Sequence, residues 1–369
     1  MKKIIFLRSN PVSPDSRVEK EVNSLLKNGF QVKVIGWDRE KNYKGREEKL
    51  ELFESNTTIV RRGIKASYGD GMKNIIPFLK FQIFLFHWLI KNKREYEIIH
   101  ACDFDTAFIA YLSTKITKKK IIFDVFDYLS TDAKKFPATL IKKIEDSLLT
   151  NSDAVIICTE QRKMQIKDSK PKKITIIHNT PQVQSNLNPV EHDKIRIAYV
   201  GVLQEFRLIE EMVKVISRHS EVELHIGGFG KLEPMIKNMA ENYENIIYYG
   251  KISYNETLNL ENSCDLMTAI YDPKIGNHYY AAPNKFYEAL MLGKPLIMVK
   301  NTGMSQIVEK YDIGINIDYN ESSFEEGLLK LISRKNEWNK INLKMKNLYK
   351  EYYAWDVMEK RLIELYSNI

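Results

Sequence analysis

Short apolar runs alternate with helical patterns along the first half of the chain, as they do in a parallel sheet built from βαβ units. Lys3–Leu7 reads as a first strand, Asp15–Asn28 as a helix and Gln31–Gly36 as a second strand. Ile98–His100, Ile121–Asp124 and Ala154–Cys158 read as further strands, and Ile174–Ile177 closes the set. Residues 179–193 (NTPQVQSNLNPVEHD) are poor in large apolar side chains and rich in Asn and Pro, so they read as a linker. A second βα series follows, with strands at Ile195–Val200, Glu223–Ile226, Ile246–Tyr249, Leu266–Ala269 and Leu296–Val299. The tail, 336–369, has a helical pattern. Two Rossmann-like bodies are expected, over 1–180 and 190–350, with no internal repeat and no low-complexity tract.

One stretch departs from this rhythm. Ile75–Ile90 (IIPFLKFQIFLFHWLI) is apolar on nearly every helical position except a narrow stripe of Lys80, His87 and Lys91. Sixteen residues interrupted by Pro77, Lys80, Gln82 and His87 are too few to span a bilayer, which takes about 20. With Lys73 before it and Lys91, Lys93 and Arg94 after it, the segment fits a helix lying in a membrane interface, with Phe84 and Trp88 toward lipid. A helix wedged into the core is the other reading.

Charge distribution bears on that choice. The 369 residues carry a net +8, but 1–180 alone hold 34 Lys+Arg against 22 Asp+Glu, which is +12, and the remainder is −4. The first half is therefore expected to face something anionic. The basic residues are spread among helices with no recognisable nucleic-acid module, so an anionic membrane face is favoured over nucleic acid. Hydrophobic content of 44% and charged content of 28% describe a globular protein. Cys102, Cys158 and Cys264 are widely spaced beside apolar residues, as expected of buried reduced thiols in the cytoplasm. The start, MKKIIFLRSNP, has four apolar residues before Arg8, too few for a signal peptide.

The densest chemical signal is Ala282–Pro295, APNKFYEALMLGKP. Asn284, Lys285 and Glu288 fall on the first turns of a helix with Pro283 at its start and Gly293-Lys294-Pro295 at its end. Free backbone N–H groups and a partial positive charge suit such an N-terminus to a diphosphate. Lys285 adds a full charge, and Glu288 can accept bonds from a ribose diol. An ordinary capped helix packed on a sheet would also account for the pattern.

Here the chain resembles the retaining glycosyltransferases of family 4, which have the GT-B fold. Their helix carboxylate and A-x-x-G-x-P correspond to Glu288, Ala289, Gly293 and Pro295. The resemblance implies two Rossmann-like domains with a cleft between them, and a C-terminal helix (351–369) that crosses back onto the first domain. Tyr199-Val200-Gly201-Val202-Leu203 followed by Arg207 matches the loop near the donor diphosphate. Gly201 lets the backbone approach closely, and Arg207 can offer a forked guanidinium to phosphate oxygens. Gly228 in LHIGGFGK, and Tyr249 and Ile252 in the segment near the nucleotide base, complete the donor side. Arg17, His100 and Asp103 are the acceptor-side candidates, and Asp127 is the candidate for a polar role near the reaction centre.

Departures from the family pattern are as telling. Phe126 stands where relatives commonly have a histidine, and Tyr280 where they have the first of two glutamates. The chain has no G-x-G-x-x-G, against a dinucleotide enzyme, and no acidic triplet in a loop suited to a metal; Asp103-Phe104-Asp105 has the bare spacing. The expectation is a metal-independent, retaining glycosyltransferase without cofactor, using a nucleotide-diphospho-sugar and a glycan or lipid-linked acceptor, peripheral at the inner face of the plasma membrane. A non-catalytic GT-B subunit binding a partner transferase or glycan is the different-class alternative. A GT-B nucleotide-sugar epimerase is a third, although its carboxylate and histidine acid–base groups are not evident.

Overall fold

A computed structural model describes residues 2–40, 44–67, 71–129, 136–182 and 190–369. The chain forms two compact units, Met1–His178 with Met358–Ile369, and Asn179–Val357. Of the linker expected over 179–193, residues 183–189 lie outside the described residues.

The first unit is built on strands β1 (Lys3–Arg8), β2 (Gln31–Asp38), β3 (Lys44–Glu51), β4 (Asn56–Gly63), β5 (Ile98–Cys102), β6 (Lys120–Val125), β7 (Ala154–Ile157) and β8 (Ile174–Ile176). They form one sheet in the order β3-β4-β2-β1-β5-β6-β7-β8, and every pairing but β3–β4 is parallel. Continuous apolar runs such as Ile4–Leu7 and Ala154–Ile157 are buried throughout, as strands covered on both faces must be. The apolar-run reading misses β3 and β4. β3 is the antiparallel edge, and its sequence KGREEKLE is charged because water lies along it; edge lysines also discourage pairing with other chains.

Helices of this unit are α1 (Ser16–Lys27), α2 (Ile75–Lys91), α3 (Phe104–Thr117), α4 (Phe136–Asn151) and the short α5 (Arg162–Gln165). Asp15 caps α1 by accepting from the Val18 N–H. On α2, Phe81, Gln82, Leu85 and Leu89 are buried, and Phe84 and Trp88 pack half-buried against the same core. Ile75, Ile76, Leu79 and Ile83 face outward instead, beside Lys80, His87 and Lys91. The expectation that Phe84 and Trp88 face out is thus corrected, because they lie three positions after Phe81 and Leu85 and so flank the same inward row. α3 packs against α2 and leaves Phe108, Leu112 and Ile116 exposed. Among the described residues no helix is long and apolar enough to cross a membrane.

The second unit holds β9 (Ile195–Val202), β10 (Val222–Phe229), β11 (Ile246–Tyr248), β12 (Leu266–Ala269), β13 (Leu296–Val299) and β14 (Gly314–Ile317). They pair in parallel in the order β11-β10-β9-β12-β13-β14, the Rossmann order with its reversal between β9 and β12. The helices are α6 (Ile209–Ile216), α7 (Glu233–Asn242), α8 (Tyr254–Asn262), α9 (Gly276–Tyr279), α10 (Asn284–Leu292), α11 (Ser305–Tyr311), α12 (Glu321–Ser333) and α13 (Trp338–Leu348). Two cores flank the sheet, one under α6 and α12, the other under α10 and α13. The last helix, α14 (Trp355–Ser367), contributes Met358 onward to the first unit. There Tyr366 is fully buried, and the Lys2 ammonium donates to its carbonyl at 2.8 Å.

Candidate functional site

Open α/β sheets receive ligands beyond the C-terminal ends of their strands, where the strand order reverses. In the second unit that point lies between β9 and β12. The loop after β9 carries Arg207, and the chain after β12 runs through Tyr271, Asp272 and α9 into α10.

Backbones crowd together here, which accounts for the glycines. A Cβ on Gly228, whose φ is +139°, would lie 1.8 Å from the Gly201 carbonyl oxygen. The Gly228 N–H donates to the Gly250 carbonyl at 2.7 Å, so β9, β10 and β11 end close together. Lys285, on the first turn of α10, brings its Nζ 3.2 Å from where a Gly201 Cβ would be and 5.7 Å from the Tyr199 ring centroid. Pro283 is the N-cap of α10 and no side chain caps that end, leaving N–H groups of the first turn for a ligand. Asn284 accepts from the Asn179 side chain at 3.1 Å. Gly293, at φ +73°, ends the helix.

Arg207 is the second cation at this point. Its guanidinium carbon lies 3.7 Å from the Tyr271 ring centroid, and one N–H donates to His278 Nε2 at 3.1 Å. Nearby burial pushes the Tyr199 phenol above its usual range, and the Arg207 charge pulls the other way. Lys285 thus lies beside the Tyr199 ring, and the charge of Arg207, stacked on Tyr271, reaches the same phenol. Tyr249 is half-exposed, its hydroxyl 2.8 Å from His225 Nδ1, and the Ile252 side chain closes over Gly227, reaching within 2.9 Å of where a Cβ would stand.

Glu288 is only 3% exposed and accepts from the Tyr254 hydroxyl. Burial, with the charges of Glu288 and Glu261, raises the Tyr254 phenol. Glu261, facing from α8, is fully buried with both carboxylate oxygens lacking a hydrogen bond. Burial first, then the Glu288 charge, push its carboxyl well up, against a pull from Lys285. Neither His278's grip on Arg207 nor the Glu261–Glu288 pairing is legible in sequence. The available signals were a histidine in the segment before α10 and an acid among Leu258, Leu260 and Cys264.

In the first unit the expected residues divide. Asp127 is exposed beyond β6 and pairs with Arg162 at 3.0 Å. Asp103 is half-buried: it pairs with Arg8 at 2.5 Å and accepts from the N–H groups of Phe126 and Asp127 at 2.9 and 3.2 Å. Burial raises its carboxyl to about 7, against the Arg8 charge. Arg17 and His100 are corrections, being interior groups whose polar atoms are taken up by interior partners. Arg17 bonds Asp124 at 2.8 and 3.2 Å and donates to the Ile177 carbonyl. His100 has both nitrogens engaged, by the Tyr366 hydroxyl at 2.6 Å and by Asp124 at 3.3 Å. Phe126 lies under two guanidinium groups, Arg8 at 4.3 Å and Arg17 at 4.7 Å.

Among the described residues one trio, His100, Cys102 and Asp124, has ligand atoms close enough for a metal. It does not fit one, since Arg17 occupies Asp124 and burial holds the Cys102 thiol well above its usual range. All three cysteines are buried and unbridged.

Comparison with known proteins follows these features. Residues 183–348 match the family described as Glycosyl transferases group 1. The whole chain superposes on the sucrose-phosphate synthase of Thermosynechococcus elongatus, covering 100% of this chain and 99% of that one, with a TM-score of 0.76 at 15% identity. Anabaena HepE in complex with UDP and glucose matches with 100% of both chains covered, a TM-score of 0.70 and 11% identity. A candidate UDP-N-acetylglucosamine 2-epimerase from Listeria monocytogenes matches at 0.66 and 16%, over 98% and 95% of the two chains. No curated protein matches the chain by sequence. By fold the chain is similar to the GT-B glycosyltransferases, and over 183–348 its sequence carries the group 1 glycosyltransferase pattern.

Proposed function

We propose that this protein is a retaining, metal-independent glycosyltransferase of the family 4 kind, moving a sugar from a nucleotide-diphospho-sugar to a glycan or lipid-linked acceptor. The observation that carries the reading is the meeting of Arg207, Lys285 and the uncapped α10 N-terminus at the β9/β12 reversal, above glycines that keep side chains out. Such a place suits a diphosphate, and Glu288 one turn further along α10 suits the ribose diol. As the bond from the anomeric carbon to the diphosphate breaks, negative charge grows on the leaving oxygens. Each donor held where that charge develops lowers the barrier by about 3–4 kcal/mol. The acceptor hydroxyl attacks from the leaving-group face and its proton passes to a phosphate oxygen, so no enzymic nucleophile is required and Phe126 is tolerated.

A thermal-shift screen against UDP, GDP and their sugars tests the donor class, and hydrolysis of the stabilising nucleotide-sugar by purified protein separates an enzyme from a binding subunit. Glu288→Gln keeps the shape but weakens acceptance from two hydroxyls. Hydrogen bonds to charged groups contribute about 1.5–3 kcal/mol, so nucleotide affinity falls about ten-fold or more. Unchanged calorimetric affinity would leave Glu288 as a packing residue.

The acceptor reading extends to a membrane surface. Ile75, Ile76, Leu79 and Ile83 on α2 lie exposed with Lys73, Lys80 and Lys91 around them, and Phe108, Leu112 and Ile116 add a second apolar strip on α3. Anionic lipid contributes about 1 kcal/mol per nearby Lys or Arg, so binding to anionic vesicles exceeds that to neutral ones and weakens with salt. Ile76→Ser with Ile83→Ser lowers co-sedimentation without altering the melting temperature, because neither side chain is in the core. Indifference to anionic vesicles at low salt removes this part of the reading.

A further inference from the structure

His278 has a role that the transfer reading leaves unused. Its Nε2 stands 3.1 Å from an Arg207 nitrogen, and a guanidinium has no acceptor, so Nε2 must accept. Its Nδ1 stands 3.0 Å from the Asp272 carbonyl oxygen, so Nδ1 carries the proton. Both partners fix one form of the ring, the neutral imidazole protonated at Nδ1. Asp272 is itself held: its N–H donates to the Phe206 carbonyl at 3.1 Å, and its carboxylate accepts from the Lys274 N–H at 2.9 Å. Tyr271 completes the clamp, flat beneath Arg207 at 3.7 Å and edge-on to His278 at 5.1 Å. The chain leaving β12 thus grips the cation on the loop leaving β9, across the reversal of strand order.

The kind of acceptor matters. A carboxylate in the place of His278 would hold the guanidinium and cancel its charge. A neutral imidazole holds it and leaves the charge whole for an anion, with the remaining N–H groups of the fork still to offer.

We propose that His278 is a positioning residue for Arg207: the neutral imidazole sets the guanidinium where it receives the donor diphosphate. This rests on the nucleotide-sugar reading above. The test is calorimetric titration of the full chain with UDP and with GDP, for wild type, His278→Ala, His278→Gln, His278→Glu, Arg207→Ala and the double variant Arg207→Ala/His278→Ala. Contacting residues couple strongly enough that His278→Ala is expected to cost about five- to ten-fold in affinity for the diphosphate that binds. His278→Gln restores most of it, because the amide oxygen takes the place of Nε2 as acceptor, whereas His278→Glu does not, because it neutralises the guanidinium. In the Arg207→Ala background His278→Ala changes nothing further.

Wild-type affinity in His278→Ala overturns the proposal, as does an equal loss with or without Arg207. Equal affinities in the Gln and Glu variants overturn the charge argument on which it stands. A thermal melt of each variant separates misfolding from weakened binding, and the Gln variant decides the matter if Ala does not fold. Binding of neither nucleotide by wild type defeats the nucleotide-sugar reading and this proposal together, while wild-type binding with an indifferent His278 defeats this proposal alone.

Discussion

Arg207→Ala and Lys285→Ala each lower transfer by about 100- to 1,000-fold, the loss that follows removal of one donor from a site of developing charge. Neither change should move the melting temperature by more than a degree or two. Among the described residues Lys285 Nζ makes no hydrogen bond or ion pair, and its charge only tempers the buried Glu261 carboxyl: it lies over Gly201 and beside Tyr199, which keeps its own bond to the Val202 carbonyl at 3.0 Å. Removing Arg207 takes a hydrogen bond from His278, which water can satisfy, and a stacked cation from the Tyr271 ring. The effect should fall on turnover more than on donor KM, because the charge on the leaving diphosphate is largest in the transition state. Lys285→Arg and Arg207→Lys are expected to recover only part of the activity, since neither reproduces the other's reach or fork. Wild-type turnover in either alanine variant removes that residue from the reaction.

The backbone geometry at the β9/β12 reversal was legible in sequence for a physical reason. Close backbone approach demands glycine, as at Gly228 against the Gly201 carbonyl, and a helix announces itself by Pro283 at its start and Gly293 at its end. These are local constraints, and each leaves a residue type at a fixed spacing. Buried apolar strands are equally local, so Ala154–Ile157 and Leu266–Ala269 could be read directly, whereas the charged edge strand Lys44–Glu51 could not. What a single sequence does not carry is the pairing of distant polar groups. His278 on Arg207, Glu261 on Glu288 and Tyr366 on His100 are separated by 71, 27 and 266 residues along the chain. The same blindness made Arg17 and His100 read as acceptor contacts. A helix-start arginine and a strand-end histidine look alike in sequence whether they face a ligand or a buried carboxylate.

That correction has its own test, in Asp124. If Arg17, His100 and Asp124 faced an acceptor, Asp124→Ala would weaken acceptor use and leave the fold alone. The geometry predicts the reverse. Arg17 is 4% exposed and Asp124 and Glu21 are fully buried, with Arg17 bonded to Asp124 through two nitrogens and 3.2 Å from Glu21. Removing Asp124 leaves the interior Arg17 guanidinium with only Glu21 and the Ile177 carbonyl, and takes a partner from His100, which also holds Tyr366 of α14. Breaking one side of a buried ion pair costs about 3–5 kcal/mol, enough to unfold much of the first unit at ordinary temperature. Glu21 acts with the opposite sign. Burial, and then the neighbouring Asp124 charge, lift its carboxyl from 4.5 to about 8, against the pull of Arg17. Between those values the folded chain holds a proton that the unfolded chain has released. Its contribution is therefore complete below pH 4.5 and is lost as pH rises toward 8. Urea unfolding at pH 5 and pH 8 should show stability declining across that window in wild type and declining less in Glu21→Gln, while Asp124→Ala is destabilised at both. An Asp124→Ala protein within 1 kcal/mol of wild type would return this cluster to the surface chemistry that its sequence first implied.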